Sequence, residues 1–216
     1  TAQAFGLTAN NKLLNFALNN PNTVAEKTLT GLLVDERFIG IDYRLRTTTD
    51  HAGKLYGLTN KANLYTINSS SGVTSLVTTL RAAAGSSFTA LDGTSFAVDF
   101  NPTADRLRVI SNTGQNLRIN VDTGDTFKDG DISGASGAKV TAAAYTNSFK
   151  TPTATLATEL FDLDQTNKTL TKQTPPNNGT LSLMGSLGIN LGTDNGFDIA
   201  GGDNGLALAT VSGDSG

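Results

Sequence analysis

The chain has 216 residues, which suits one domain with a core large enough to need no crosslinks. It contains no cysteine and a single histidine, so disulfide frameworks, thiolate metal sites and histidine-rich metal centres are excluded. Lys and Arg number 16 against 19 Asp and Glu, giving a net charge of −3, and nothing favours a nucleic-acid partner. No apolar run reaches the length of a membrane-spanning helix.

Residues typical of turns and β-structure dominate the composition. Thr (32), Gly (23), Asn (20) and Ser (15) together make up 90 of the 216 residues, which predicts a β-rich protein with many loops. The low charge and this polar, uncharged content resemble bacterial extracellular proteins. The chain also starts with Thr1 rather than Met, as it would after removal of a signal peptide. We therefore expect an extracellular or cell-surface protein.

Short strand-like segments follow one another along the chain, separated by turn residues. Three precede residue 30, and they resemble the second, third and fourth strands of a repeat that begins after them: Phe5–Leu7, Leu13–Phe16 and Glu26–Leu29. The first repeat contains four predicted strands: Phe38–Tyr43, Lys54–Leu58, Asn63–Asn68 and Ser75–Leu80. The second contains three: Phe96–Phe100, Arg106–Ile110 and Asn116–Asn120. A third repeat is predicted with first strand Val140–Tyr145, third strand Leu160–Asp164 and fourth strand Thr169–Lys172. The last predicted strands are Gly196–Ile199 and Leu206–Val211.

The first strands of the repeats share one polar position. Asp42, Asp99 and Asp198 each stand between large apolar residues, and Ala144 occupies the same place in the third repeat. These positions are 57, 45 and 54 residues apart, which is near the repeat length of propeller blades. Two of the third strands run into turns that open with Asn and close with Gly four residues later, a pattern typical of hairpins.

Four-stranded antiparallel sheets repeated around an axis form a β-propeller. We therefore predict an all-β fold, namely a β-propeller or partial propeller of four-stranded antiparallel blades, in a single domain over residues 1–216 with about four to five blade-like repeats. A β-sandwich is the alternative, because the strand count also permits it. A sandwich would not explain the blade-like period.

Strands of the second type stand at both ends of the chain, at Phe5–Leu7 and Leu206–Val211. Propellers often build one blade from both termini, which removes an open sheet edge, so we expect the terminal strands to share the closing blade. A surplus strand would instead expose unpaired backbone groups and an apolar face. That arrangement would favour self-association by strand addition through Leu206–Val211.

Three runs carry a resemblance to a known family: Ser95–Asn120, Val140–Asn147 and Pro175–Thr180. They resemble the bacterial secreted domain-of-unknown-function family 4394. The resemblance covers nearly the whole chain, and the run over residues 95–120 is its most specific part. It implies a propeller-like repeat and an exported protein, and it brings no activity and no catalytic residues.

Asp42, Asp99 and Asp198 are the sharpest candidates for a site. The first strand of each blade lines the central channel of a propeller, so three aspartates at one blade position predict an acidic ring there. Hard cations such as calcium bind clustered carboxylate oxygens, and calcium is the candidate cofactor. The alternative is a structural role in which each carboxylate accepts hydrogen bonds from backbone amides within or between blades.

A second candidate calcium site is the acidic loop at residues 120–131. Its carboxylates come from Asp122, Asp125, Asp129 and Asp131. The ligand spacing is not that of an EF-hand, and no Glu ends the loop. A looser calcium site is one hypothesis for this loop, and a solvated hairpin is the other.

Arg106, Arg108 and Arg118 lie on neighbouring predicted strands. They are candidates for binding an anionic sugar or a carboxylate. The alternative is that they form ion pairs with Asp99 or Asp105 inside or between blades.

The sequence contains no persuasive catalytic constellation. Residues 213–216 resemble the nucleophile segment of trypsin-like proteases, but the only base available for a triad is His51, in a distant loop. We therefore expect a non-enzymatic extracellular protein with a structural, adhesive or matrix and assembly role, with a cell-surface polysaccharide as a candidate partner.

The alternative is a carbohydrate-binding propeller or a hydrolase that uses carboxylates alone. Glycoside hydrolysis needs only two carboxyl groups at a defined separation. A deep pocket with a strongly raised carboxyl pKa would favour this alternative.

Overall fold

A computed structural model describes residues 1–45, 53–148, 157–201 and 204–213. The chain is all-β, and four small antiparallel sheets are arranged as a four-bladed β-propeller. The predicted fold class is therefore confirmed. His51 and most of the segment 213–216 lie outside the described residues.

The blades follow in chain order, and a two-stranded hairpin comes after them. The first blade comprises Gln3–Leu7 (β1), Lys12–Ala17 (β2) and Asn20–Thr28 (β3), and the second comprises Phe38–Arg44 (β4), Lys54–Thr59 (β5), Asn63–Ile67 (β6) and Thr74–Thr79 (β7). The third contains Phe96–Asn101 (β9), Arg106–Ser111 (β10), Asn116–Ile119 (β11) and Asp125–Lys128 (β12), with the short strand Arg81–Ala82 (β8) parallel to β12. The fourth contains Val140–Tyr145 (β13), Leu160–Asp164 (β14), Thr169–Gln173 (β15) and Leu181–Ser186 (β16), and the hairpin pairs Asn195–Ile199 (β17) with Ala207–Val211 (β18).

All of the predicted strands are present, but the order within the fourth blade differs from the prediction. Leu160–Asp164 is its second strand and Thr169–Gln173 its third, rather than third and fourth. The misassignment arose because the Asp-opened turn after β14 resembles the Asn-opened turns that follow β6 and β11. The strands β8, β12 and β16 were not predicted, since they are short or rich in exposed positions.

Hydrophobic clusters join each sheet to the next. One lies between the first and second blades, one between the second and third, one between the third and fourth, and a smaller one between the fourth blade and the hairpin. The alternating apolar positions of the strands supply these clusters, because the second, third and fourth blades each bury both faces against their neighbours. Four inner strands result, in the order β4, β9, β13 and β17, with β9 packed against β4 and β13, and β13 against β17.

The Gly-closed turns explain how the outer parts of neighbouring blades approach each other. Gly72 and Gly124 have positive φ angles of 78° and 82°, and each amide donates to the carbonyl of the Asn that opens its turn, at 2.8 Å. A Cβ atom at either position would lie 2.3–2.4 Å from a backbone oxygen of the preceding blade, Thr28 or Thr79. Glycine is therefore required both for the backbone conformation and for the close contact.

The two chain ends belong to separate sheets. β1 pairs only with β2, and β18 pairs only with β17, among the described residues. The structure therefore contains no hydrogen-bonded ladder between the described residues of β1 and β18. Each of these two strands therefore has one edge without a strand partner among the described residues.

Candidate functional site

The structure brings Asp42, Asp99 and Asp198 together, although they are far apart in sequence. They lie on the inner strands β4, β9 and β17, and one carboxylate oxygen from each is within 4.8 Å of the others. Asp99 is buried, Asp42 is half-buried and Asp198 is exposed. We call these three residues the channel carboxylates.

Backbone amides orient the channel carboxylates. The Phe100 amide donates to Asp42 Oδ2 at 2.7 Å, and the Tyr145 amide donates to Asp99 Oδ2 at 2.8 Å. Each of these bonds links one inner strand to the next. The side chain of Asp198 accepts instead from the amide of its own neighbour, Ile199. The sequence left two alternatives for these residues, an acidic ring and hydrogen bonds to backbone amides between blades. Asp42 and Asp99 make such amide bonds, and the three carboxylates also lie close together.

The channel carboxylates hold protons more tightly than ordinary aspartates. Burial, followed by the charge of Asp198, raises the pKa of Asp42 to about 8, against the opposing effect of its amide bonds. Burial and the neighbouring carboxylates raise the pKa of Asp99 well above its usual value, and burial also raises the pKa of Asp198. A hydrogen bond joins Asp42 to Asp99, which requires a proton on one of them. Near neutral pH the trio therefore carries a proton or needs a cation.

The spacing of the channel carboxylates suits a calcium-sized ion. Two oxygens bound to one calcium at 2.3–2.6 Å are separated by at most about 5 Å, and the observed oxygens lie within 4.8 Å. Amide bonds occupy one oxygen of Asp42 and one of Asp99, and a hydrogen bond also joins the two carboxyl groups, so an ion bound by all three residues would have to replace the proton between them. Calcium takes six to eight ligands, so water or backbone oxygens would have to complete its shell.

A cavity of about 770 Å³ opens beside the channel carboxylates. It lies between the first blade and the hairpin, with β1 on one wall and β17 and β18 on another. The three channel carboxylates are part of its lining. Much of the rest consists of aromatic and aliphatic side chains: Phe5, Phe16, Phe38, Tyr43, Phe197, Leu206 and Leu208. Its volume falls in the range of small-molecule sites, about 300–1,000 Å³.

The acidic loop does not bring its carboxylates to one point. Asp122 pairs with Arg44 of the second blade, Asp125 with Arg81, Asp129 with Arg108 and Arg118, and Asp131 with Lys128. Within the described ranges, the only group of three or more potential metal ligands is the channel carboxylates. The loop therefore distributes its negative charge over separate ion pairs, several of which join strands or blades.

The predicted partners of the three arginines were wrong. Arg108 is buried and pairs with Asp129 at 2.7 Å, and Arg118 pairs with the same carboxylate oxygen at 2.7 Å. Arg106 donates to the backbone carbonyl of Asp105 rather than to a carboxylate. Since Arg108 also binds Tyr145 and Asn177 of the fourth blade, it joins two blades and is not available to an anionic sugar.

Two buried charged residues carry no signal that sequence reasoning detected. Arg44 donates to both carboxylate oxygens of Asp105 and of Asp122, which ties the second blade to the third. Glu36 is 4% exposed and accepts four hydrogen bonds in the second blade. Neither residue recurs at an equivalent place in the other repeats, so the comparison of repeats could not reveal them.

Comparisons with known proteins identify the family of the chain. No curated protein matches the sequence. In the described residues no helix is both long and apolar enough to span a bilayer. The model of the family described as Domain of unknown function (DUF4394) matches residues 12–216. The protein, a four-bladed β-propeller whose inner strands carry three converging carboxylates, therefore belongs to the DUF4394 family.

Proposed function

We propose that the protein is a non-enzymatic extracellular β-propeller with a structural role, which assembles through the free edge of β18. The observation that carries this proposal is the pair of free, uncharged edges on β1 and β18, which face one largely apolar cavity. Sheet edges of soluble proteins are usually protected by charges or proline. Neither Gln3–Leu7 nor Ala207–Val211 contains a charged residue or proline.

The register of the hairpin defines which backbone groups of β18 are free. The Ala200 amide donates to the Leu206 carbonyl and the Ser212 amide to the Asp194 carbonyl, so alternate residues from 206 to 212 face β17. The backbone groups of Ala207, Ala209 and Val211 consequently point toward the free edge. They offer a strand from a second copy the main-chain partners that strand addition requires.

The side chains near this edge also favour an apolar partner. Leu206, Leu208 and Val211 are 39%, 38% and 41% exposed, although aliphatic residues gain from burial. A strand from a second copy that enters the cavity beside β1 would cover Leu206 and Leu208, which line it, whereas Val211 lies on the opposite face of β18. Because such a contact joins different surfaces of the two copies, it propagates into a filament or layer unless the geometry closes.

The channel carboxylates add a candidate stabilising cation. Asp198 lies on the hairpin, whereas Asp42 and Asp99 lie on blade strands, so an ion bound by all three would fix the hairpin to the ring. We propose calcium for this role because the carboxylate spacing fits its coordination distances. The low charge and the Thr, Asn, Ser and Gly content support an extracellular location, and they suit contact with a cell-surface polysaccharide.

A proline at the free edge tests the assembly proposal. In Ala209→Pro the lost amide hydrogen points away from β17, so the hairpin ladder should persist, whereas Ala209→Val keeps the amide and is the matched control. Sedimentation velocity over a concentration series should show assembly of the wild type and of Ala209→Val, and monomers of unchanged melting temperature for Ala209→Pro. Wild-type protein that is monomeric at every concentration, or assembly of Ala209→Pro, would refute the proposal.

A second candidate function is carbohydrate binding or hydrolysis by carboxylates. The specific observation in its favour is a cavity that contains carboxyl groups of raised pKa, one of them at about 8. In this scheme the protonated Asp42 would serve as the acid and the exposed Asp198 as the nucleophile or base. Aryl glycosides of several sugars provide the test: hydrolysis that Asp42→Asn and Asp198→Asn each abolish supports the scheme, and its absence across the panel contradicts it.

A further inference from the structure

The interface between the third and fourth blades contains buried oxygen atoms for which the described part of the chain provides no hydrogen-bond partner. Both carboxylate oxygens of Asp162 and the side-chain oxygen of Gln173 are in this position, and the two residues are 0% and 1% exposed. Buried polar atoms in native proteins are nearly always satisfied by protein or by ordered water. Three unsatisfied acceptors in one region therefore call for a donor.

The strand register places these acceptors on one face of the fourth blade. Asp162 is opposite Thr171, and Leu160 is opposite Gln173. Since residues two apart on a strand share a face, as do directly paired residues, Asp162 and Gln173 are diagonal neighbours on the same surface. Gln173 Nε2 donates to Pro176 O and to Asn116 Oδ1 of the third blade, and Gln173 Oε1 remains as a buried acceptor at this interface.

Arg108 of the third blade supplies positive charge and a donor near the same surface. Nη1 of Arg108 and Nε2 of Gln173 both donate to Asn116 Oδ1, which places the guanidinium beside Gln173. Burial raises the pKa of Asp162 well above its usual value, and the charge of Arg108 acts against this rise. Nη2 of Arg108 carries two hydrogens, and its bond in the described structure goes to Asn177. The other charged groups around the site are Asp129, which pairs with Arg108, and Asp164, whose carboxylate accepts bonds from three backbone amides.

We propose that this interface is a binding site for one buried water molecule, which satisfies two of the three acceptors by donating to one Asp162 oxygen and to Gln173 Oε1, and which accepts a hydrogen bond from Arg108. A water molecule is the small group that donates two hydrogen bonds and accepts another, and buried waters make about three such bonds. A monovalent cation is less suited, because the guanidinium already supplies positive charge beside the carboxylate. The water thereby becomes part of the contact between two blades.

A crystal structure of the whole chain tests the inference directly. We expect one ordered peak at about 2.7–3.2 Å from an Asp162 oxygen and from Gln173 Oε1. A dry interface, with a protonated Asp162 donating directly to Gln173, would overturn the proposal. Crystals grown with rubidium in place of sodium and potassium should show no anomalous peak there, since such a peak would identify a cation and not water.

Two substitutions on the same buried face distinguish a specific site from general hydration. Asp162→Leu removes both acceptor oxygens, so the peak should disappear. Thr171→Val is the matched control, because Thr171 is buried directly opposite Asp162 and its hydroxyl already bonds the Asp162 carbonyl; the peak should remain. Persistence of the peak in Asp162→Leu, or its loss in Thr171→Val, would contradict the assignment. The wild-type crystal decides the question even where Asp162→Leu does not fold.

Discussion

Replacing Glu36 by glutamine should destabilise the second blade at neutral pH and not at very low pH. The Glu36 carboxylate accepts hydrogen bonds from Thr59 Oγ1 at 2.6 Å, Asn63 Nδ2 at 2.7 Å, Tyr65 Oη at 2.6 Å and the Leu33 amide at 3.0 Å. Burial acts to raise its pKa, but these four bonds outweigh it and lower the pKa from 4.5 to about 2. Charge-assisted bonds of this kind are stronger than those a neutral amide would accept.

The pKa gives the size of the effect. A tenfold change in proton affinity is worth about 1.4 kcal/mol, so the full difference between 4.5 and about 2 corresponds to roughly 3 kcal/mol at neutral pH. The preceding loop is open to solvent, with Leu33 60% and Val34 82% exposed, and water screens part of this energy. We therefore expect Glu36→Gln to cost about half as much, ~1.5 kcal/mol, or about 3–6 °C in melting temperature.

The pH dependence distinguishes this mechanism from a simple packing defect. Because folding lowers the pKa of Glu36, its stabilisation is complete above about pH 4.5 and disappears as the pH falls toward 2. Urea denaturation of both proteins, followed by circular dichroism at several pH values, should show the difference closing over that interval. Glu26→Gln is the control, since Glu26 is exposed and pairs only with Lys12 at the surface. An equal deficit for Glu36→Gln at pH 7 and pH 2 would refute the reasoning.

Three further predictions concern the ring. Folding raises the pKa of the channel carboxylates, so without a cation the free energy of unfolding should fall as the pH rises from about 4 to 8. Calcium should raise the melting temperature. In thermal scans, Asp42→Asn should weaken both the pH dependence and the stabilisation by calcium. Gly40→Ala would place a Cβ atom 2.3 Å from Val98 Cγ2 and should cost about 1–3 kcal/mol in urea denaturation, whereas Gly185→Ala, with no atom within 4 Å, should cost much less. Arg44→Met leaves two carboxylates without their buried partner and should cost about 3–5 kcal/mol by the same assay; a loss below 1 kcal/mol would show that the pairs hold the blades only weakly.

The fold could be predicted because its signals are local and repeated. Alternating apolar residues indicate strands, Asn-opened turns indicate hairpins, and the spacing of Asp42, Asp99 and Asp198 indicates blades; all three kinds of signal repeat along the chain. The outer strands β12 and β16 were missed because their exposed faces leave little apolar periodicity to detect. The position of a strand in its sheet also depends on which strands it pairs with. In the fourth blade the turn after β14 did not predict those partners, so β14 was placed third and not second.

The candidate site could be predicted only in part. A shared blade position was enough to bring the channel carboxylates together, because inner strands converge by symmetry. The ion pairs of Arg44 depend on where neighbouring blades meet, and those of Asp129 depend on how the loop after β12 folds back onto β10 and β11. No spacing in the sequence encodes either arrangement. The cavity was not predicted, since it arises from the distance between two terminal elements that are separate in the chain.

The amide bonds of the channel carboxylates have a consequence for the order in which the ring opens. Asp42 joins the second blade to the third, and Asp99 joins the third to the fourth, through amides of the next inner strand. Ala144 has no carboxylate to continue the series, so the Ile199 amide bonds Asp198 within its own strand. The hairpin therefore enters the ring without the bond that secures the other inner strands. Local unfolding begins where such ties are fewest, so among the four inner strands hydrogen exchange should be fastest in β17 and slowest in β9. The second, third and fourth blades, which these bonds link, then act as the fixed scaffold, and we expect any widening of the cavity to occur by movement of the hairpin.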